Sequence, residues 1–194
     1  MKIAAVVLAA GKASRFGSPK QLLEIEGETL IDRACHTALE AGCDPVLRVL
    51  GAHAEALVER PCPENVMTLV HAGWEEGMGS SLAAGVRDLL ECAPELDAVV
   101  VMLADQPMVT AGLLEEMQAR LSEASVVLCD HGEATGPPAL FGRQHFGELM
   151  ALHGDRGAKA VAANHHAAMV AFAGAAWDID SPEAWERFLQ RQAD

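Results

Sequence analysis

Two hydrophobic textures alternate along this chain: unbroken apolar runs and stripes at helical spacing. Lys2-Ile3-Ala4-Ala5-Val6-Val7-Leu8 and Ala98-Val99-Val100-Val101-Met102-Leu103 are runs without polar alternation, which predicts strands buried on both faces. Pro45 to Leu50, Val66 to Val70, residues 125–129 and the short Val170-Ala171-Phe172 predict further strands. Between them, Glu28 to Ala41 carries Leu30, Ile31, Ala34, Ala38 and Leu39 at helical spacing, with Gly42 as its stop. Helices are also predicted from Ser80 to Cys92 and over 110–121, 143–151 and 155–164. Ser181-Pro182-Glu183 opens the last helix, with serine as cap, proline at the first helical position and an acid facing the dipole. From 130 to 142 the rhythm fails: Gly132, Gly136, Pro137 and Pro138 predict a long loop over the ligand-binding face.

Strands alternating with helices from the first residue predict an α/β fold, with a mostly parallel sheet covered on both faces. The 194 residues suit one domain over 1–194, with no repeat, low-complexity tract or linker. Composition adds exclusions. Aromatic residues make up 4% of the chain, with no Tyr, and the formal net charge is −14. Both argue against a nucleic-acid binder, which needs a basic face and stacking platforms. Cys35, Cys43, Cys62, Cys92 and Cys129 include no C-x-x-C pair, so they are expected as buried thiols in a reducing cytoplasm. The chain starts on a strand rather than a signal segment, and no apolar run reaches membrane-spanning length. The expected location is cytoplasmic.

The chemistry gathers where strands end. After the first strand comes Ala9-Ala10-Gly11-Lys12-Ala13-Ser14-Arg15-Phe16-Gly17-Ser18-Pro19-Lys20. Small residues bring backbone close to a ligand, and successive N–H groups form an anion-binding concavity. Arg15 and Lys20 add charge suited to a triphosphate. The loop matches neither G-x-x-x-x-G-K-[ST] nor G-x-G-x-x-G. Asp105, in Leu103-Ala104-Asp105-Gln106-Pro107, sits at the carboxyl end of the second buried run, where open α/β sheets place ligands. A carboxylate there can hold Mg²⁺ against phosphate; the alternative is a turn aspartate. Asp178 and Asp180 fall on one side of an extended segment, and either could be a second metal ligand, with Asp178 preferred because Asp180 could instead cap the last helix. Gly77-Met78-Gly79-Ser80-Ser81 leads into a helix and offers N–H groups to an anion or base. His71, before it, is expected to be incidental. Gly154-Asp155-Arg156-Gly157-Ala158-Lys159 is a second turn into a helix: Asp155 could cap it, and Arg156 and Lys159 could reach an anionic second substrate. His165-His166 is expected as a polar surface pair rather than a metal site.

The pattern L-A-A-G-x-x-x-R-x-G-x-x-K, from Leu8 to Lys20, resembles the opening loop of the sugar-nucleotidyltransferase-like superfamily. With L-A-D-Q-P, W-E-E-G-M-G-S-S-L, G-P-P-A-L-F and H-G-D-R-G-A-K, the whole chain resembles the molybdenum cofactor nucleotidyltransferases, especially their cytidylyltransferase branch. The resemblance implies a Rossmann-like three-layer α/β/α fold of the nucleotide-diphospho-sugar transferase type. It implies transfer of CMP from CTP to a molybdopterin phosphate, with release of pyrophosphate and dependence on Mg²⁺ or Mn²⁺. Ala10 resembles the CTP-using branch, where the GTP-using branch more often has glycine. By the same resemblance, Arg15, Lys20 and Asp105 are catalytic, and Leu8, Ala9, Ala10, Gly11, Arg15, Lys20, Gly79, Ser80 and Ser81 hold the nucleotide. Asp105 and Asp178 hold the metal, while Gly136, Pro137, Pro138, Asp155 and Lys159 face the acceptor. Other nucleotidyltransferases of the superfamily, and a carrier delivering cofactor to a molybdenum hydroxylase apo-enzyme, are the competing readings.

Overall fold

The structure, a computed structural model, describes every residue except Ser14, Glu133, Ala173, Ala175, Ala176 and Asp194, and the backbone alone of Ala193. The first run forms β1 (Ile3–Ala9), every residue of which is buried. Its side chains alternate between two cores: Ile3, Ala5, Val7 and Ala9 enter one, Ala4, Val6 and Leu8 the other. An unbroken apolar run is what a strand with helices on both faces requires.

A small ribbon, β2 (Glu24–Ile25) and β3 (Glu28–Thr29), precedes α1 (Leu30–Glu40), so the first helix begins two residues later than its periodicity predicts. Thr29 is the reason: its Oγ accepts from the Asp32 N–H at 3.2 Å and caps the helix. Gly42, at φ +76°, follows the helix end as expected. Next come β4 (Val46–Leu50), α2 (Ala54–Val58), β5 (Val66–Val70), α3 (Met78–Cys92), β6 (Ala98–Leu103) and α4 (Ala111–Ala119). The remaining elements are β7 (Val126–Asp130), β8 (Thr135–Gly142), α5 (Phe146–Met150), α6 (Ala158–Ala162), β9 (Ala167–Ala171) and α7 (Pro182–Ala193).

The seven-stranded sheet runs β5-β4-β1-β6-β8-β7-β9. All its pairings are parallel except those of β8, which is antiparallel to both β6 and β7. This corrects the loop expected over 130–142. Thr135–Gly142 is an interior strand. Its prolines are accommodated where the register to β7 shifts: Leu128 pairs with Ala139 and Cys129 with Gly136, so Pro137 and Pro138 fall in the bulge. Proline has no ladder N–H to give, and a bulge needs none. The helices expected over 143–151 and 155–164 shorten to a 3₁₀ turn (Arg143–His145) with α5, and to α6.

The cysteine expectation holds for three thiols and fails for two. Cys35, Cys43 and Cys129 are buried, whereas Cys62 and Cys92 are exposed. Burial pushes Cys35 and Cys43 up to about 12 and Cys129 up to about 11, so these thiols stay neutral and unreactive at physiological pH. Among the described residues, no helix is long and apolar enough to cross a membrane.

Candidate active site

β1 and β6 are parallel neighbours in register, Leu8 opposite Leu103, and the Ala104 N–H donates to the Leu8 carbonyl at 3.1 Å. The loop after β1 and the aspartate after β6 therefore leave the sheet side by side. Between them opens a cavity of about 450 Å³. Leu8, Ala9, Ala10, Gly11, Arg15, Lys20, Ser81, Asp105, Asp155 and Asp180 line it, with Trp74 and Glu75 on the far wall.

Backbone and buried amides hold the loop. Gln21 is buried, and its Nε2 donates to the carbonyls of Ala9 (3.1 Å) and Gly11 (3.3 Å). The Ala52 N–H donates to the Ala10 carbonyl at 3.1 Å, and His53 Nε2–H to the Lys12 carbonyl at 3.2 Å. Lys12 Nζ stands 5.8 Å from the centroid of the Trp74 ring, within cation–π range.

Lys20 opens a 3₁₀ turn, Lys20–Leu22. Its Nζ donates to Asp105 Oδ2 at 2.5 Å and to Asp180 Oδ1 at 2.7 Å. The Lys20 and Asp105 side chains are only 12% and 17% exposed, so water screens this pair weakly. Burial works against the ammonium, yet the Asp105 and Asp180 carboxylates outweigh it and hold the Lys20 pKa above its ordinary value. The stability contributed by keeping Lys20 protonated is therefore complete at neutral pH and is lost as pH rises through that raised value. Asp105 Oδ1 is buried and accepts no hydrogen bond among the described residues.

Ile179 sets the third wall. It is fully buried beside Ile25, Leu30 and Phe188, and its N–H donates to the Asp105 carbonyl at 2.9 Å. With Ile179 turned into this core, its neighbours Asp178 and Asp180 turn the other way. They do different things. Asp180 lines the cavity and pairs with Lys20. Asp178, preferred from sequence as the second metal ligand, is not on the cavity wall: its Oδ1 accepts from Gln106 Nε2 at 2.9 Å, and the same nitrogen donates to the Pro137 carbonyl at 3.2 Å. Partial burial, opposed by that hydrogen bond and reinforced by repulsion from Asp105 and Asp180, raises the Asp178 pKa. Two carboxylates thus share one ammonium, and a third, Asp178, stands close enough to be repelled by both. This local excess of negative charge, with an orphaned buried oxygen on Asp105, fits a hard divalent cation held by carboxylates.

Sequence reasoning treats Gly79, Ser80 and Ser81 alike; the structure separates them. Ser81 lines the cavity, and Gly79 and Ser80 do not. Ser80 Oγ is hydrogen-bonded to His71 Nε2 at 2.7 Å, so His71 is not incidental but fixes the start of α3. Gly79 serves packing. Its N–H donates to the Gly154 carbonyl at 2.8 Å, and a Cβ there would lie 2.5 Å from the Arg156 carbonyl oxygen. This contact presses the 77–79 turn onto the 154–156 turn and brings Asp155 to the cavity. Lys159, Gly136 and Pro137 do not line it. Gly136 pairs with Cys129 in the sheet, and the Pro137 carbonyl accepts from Gln106 and His131. Gly79→Ala is expected to cost about 1–3 kcal/mol, because backbone rather than a pliable side chain must give way. Urea unfolding should show a lowered midpoint at unchanged slope. Unchanged stability would mean that the two turns are free to separate.

Residues 5–169 match the MobA-like NTP transferase domain. Nicotine blue oxidoreductase of Paenarthrobacter nicotinovorans is 38% identical over 129 residues, 63% of this chain and 61% of that protein, less than two thirds of its length. The purine catabolism protein PucB of Bacillus subtilis is 30% identical over 193 residues, 93% of each chain. A probable molybdenum cofactor guanylyltransferase of Opitutus terrae is 28% identical over 140 residues, 71% of this chain and 64% of that protein. The crystal structure of Rv0371c from Mycobacterium tuberculosis superposes with a TM-score of 0.86 at 29% identity over 98% of both chains. A manganese complex of Rv0371c gives a TM-score of 0.81 at 27% identity, covering 98% of this chain and 99% of that one. The architecture, the loop after β1 and the extent of the match agree: the chain belongs to the MobA-like NTP transferase domain family.

Proposed function

We propose that this protein transfers CMP from CTP to the phosphate of a molybdopterin-type acceptor, releasing pyrophosphate, with Mg²⁺ or Mn²⁺ as its metal. One observation carries the reading: Lys20, largely buried, bridges Asp105 and Asp180 on the wall of a cavity formed by the glycine-containing loop after β1. An anionic acceptor meeting a polyanionic nucleotide needs charge neutralised and atoms aligned more than it needs a base, since an ionised phosphate oxygen is already a nucleophile. Arg15, exposed at the cavity and with no ion pair among the described residues, is free to meet phosphate oxygens. Lys20 lines the same cavity, and the small residues Ala9, Ala10 and Gly11 would let backbone approach the base and ribose.

Asp105 and Asp180 would hold the cation, with Asp178 close enough to add charge; a bound divalent ion neutralises phosphate charge at the leaving group. Asp155 lines the same cavity as the β1 loop and would meet the acceptor there. The choice of CTP rests on Ala10. The choice of acceptor rests on the sequence resemblance and on the Opitutus relative's name; the other relatives' names point to different pathways and do not carry it.

The test is pyrophosphate release with Mg²⁺ and molybdopterin, comparing CTP, GTP, ATP and UTP. A CTP preference supports the reading. A GTP preference keeps the reaction and overturns the base. Absence of release with every nucleotide, from folded protein, overturns the acceptor or favours a carrier of finished cofactor.

A further inference from the structure

At the end of the sheet opposite the cavity, three side chains far apart in sequence converge. His145 closes the 3₁₀ turn after β8, Glu148 lies one turn on in α5, and His165 precedes β9. Glu148 Oε1 lies 2.7 Å from His165 Nε2 and 3.5 Å from His145 Nδ1, and one donor atom from each residue lies within 4.8 Å of the others. The two imidazole centroids are 4.2 Å apart. His165 is therefore not the plain surface residue expected from sequence; of the pair, only His166 is exposed.

The geometry points to a transition-metal site of the zinc type, formed by His145 Nδ1, Glu148 Oε1 and His165 Nε2. Tetrahedral zinc with ligands at about 2.0–2.1 Å places its donors about 3.3 Å apart, and the spacings here bracket that value. Two imidazoles and one carboxylate form a donor set that zinc accepts with a fourth position left to water. Access suits this: the His145 side chain is 6% exposed, while those of Glu148 and His165 are 43% and 29% exposed. A supporting outer partner is also present. Ser125 Oγ lies 2.8 Å from His145 Nε2, fixing the ring so that Nδ1 faces Glu148, the arrangement that orients metal-bound histidines. Such an ion would clasp α5 to the turn before β9, joining the α3-α5 layer to the edge of the sheet.

The experiment is zinc binding to the whole protein by equilibrium dialysis at neutral pH, with excess Mg²⁺ present to occupy the carboxylate site at the cavity. One equivalent of zinc is expected. His165→Ala should lose that equivalent, and Ser125→Ala should weaken it about 10–100-fold. Cobalt substitution should give the visible absorption of a four-coordinate ion with nitrogen ligands in the native protein and not in His165→Ala. Far-UV dichroism and pyrophosphate release should be unchanged in His165→Ala, whose site lies away from the cavity. Zinc retained by His165→Ala at native affinity, or no stoichiometric zinc in the native protein, would overturn the site and leave a hydrogen-bonded histidine cluster.

Discussion

Asp105→Asn is expected to slow pyrophosphate release by about 10²–10³-fold and to leave the fold intact. The carboxylate has two oxygens in different situations. Oδ2 takes the 2.5 Å bond from Lys20, and Oδ1 is buried with no hydrogen bond among the described residues. A buried polar atom without a partner carries a desolvation cost that a structural role would not explain; a cation ligand in the working state does. Asparagine matches the shape and retains an acceptor oxygen, but it removes the charge a hard cation needs. Lys20 keeps Asp180 as a partner at 2.7 Å, so no buried ammonium is left alone. The measurement is kcat/KM for the nucleotide across a Mg²⁺ titration, with the urea midpoint as the folding control. The variant should need more Mg²⁺ and stay slow at saturation. Native turnover by a folded variant would remove Asp105 from the chemistry.

The parts of this fold that were legible in sequence are those where one local rule decides. β1 and β6 are buried on both faces, and their uninterrupted apolar runs say so. α7 starts at Ser181-Pro182, and the Ala184 N–H donates to Ser181 Oγ at 3.3 Å as the cap rule requires. β8 was not legible, because a Gly-Pro-Pro run reads as a turn unless a bulge accommodates it, and a bulge is set by the neighbouring strand.

The same limit applies to the site. Asp105 could be singled out because it follows directly on the end of β6, and Lys20 because it closes the glycine-containing loop after β1. Spacing could not show that Gln106, 72 residues away in sequence, donates to Asp178 while Asp180 lines the cavity. Gln21 carried no signal either: an amide that holds two loop carbonyls looks like any surface glutamine until the loop folds over it. The histidine cluster is the extreme case, since H-x-x-E covers one helical turn and only the return of the chain toward β9 brings His165 to it. Spacing rules find ligands on one element and miss those assembled by topology.

Lys20→Met should separate catalysis from metal binding in opposite directions. Methionine keeps the aliphatic stem and removes the ammonium that bridges Asp105 and Asp180. If Lys20 meets the phosphates of the bound nucleotide, its loss should lower kcat/KM by about 10²–10³-fold. Free divalent metal should bind more tightly, because Asp105, Asp178 and Asp180 then repel one another with no internal cation. By linkage, the same ion should raise the variant's melting temperature by more than it raises that of the native protein. A lysine that only props the carboxylates apart would, when removed, loosen the site and weaken both functions together. Manganese binding followed by electron paramagnetic resonance, beside pyrophosphate release, distinguishes the two. Weaker turnover with tighter manganese binding supports Lys20 as the group that moves between carboxylates and phosphates. Weaker turnover with weaker manganese binding reduces it to a structural strut, and unchanged turnover removes it from the reaction.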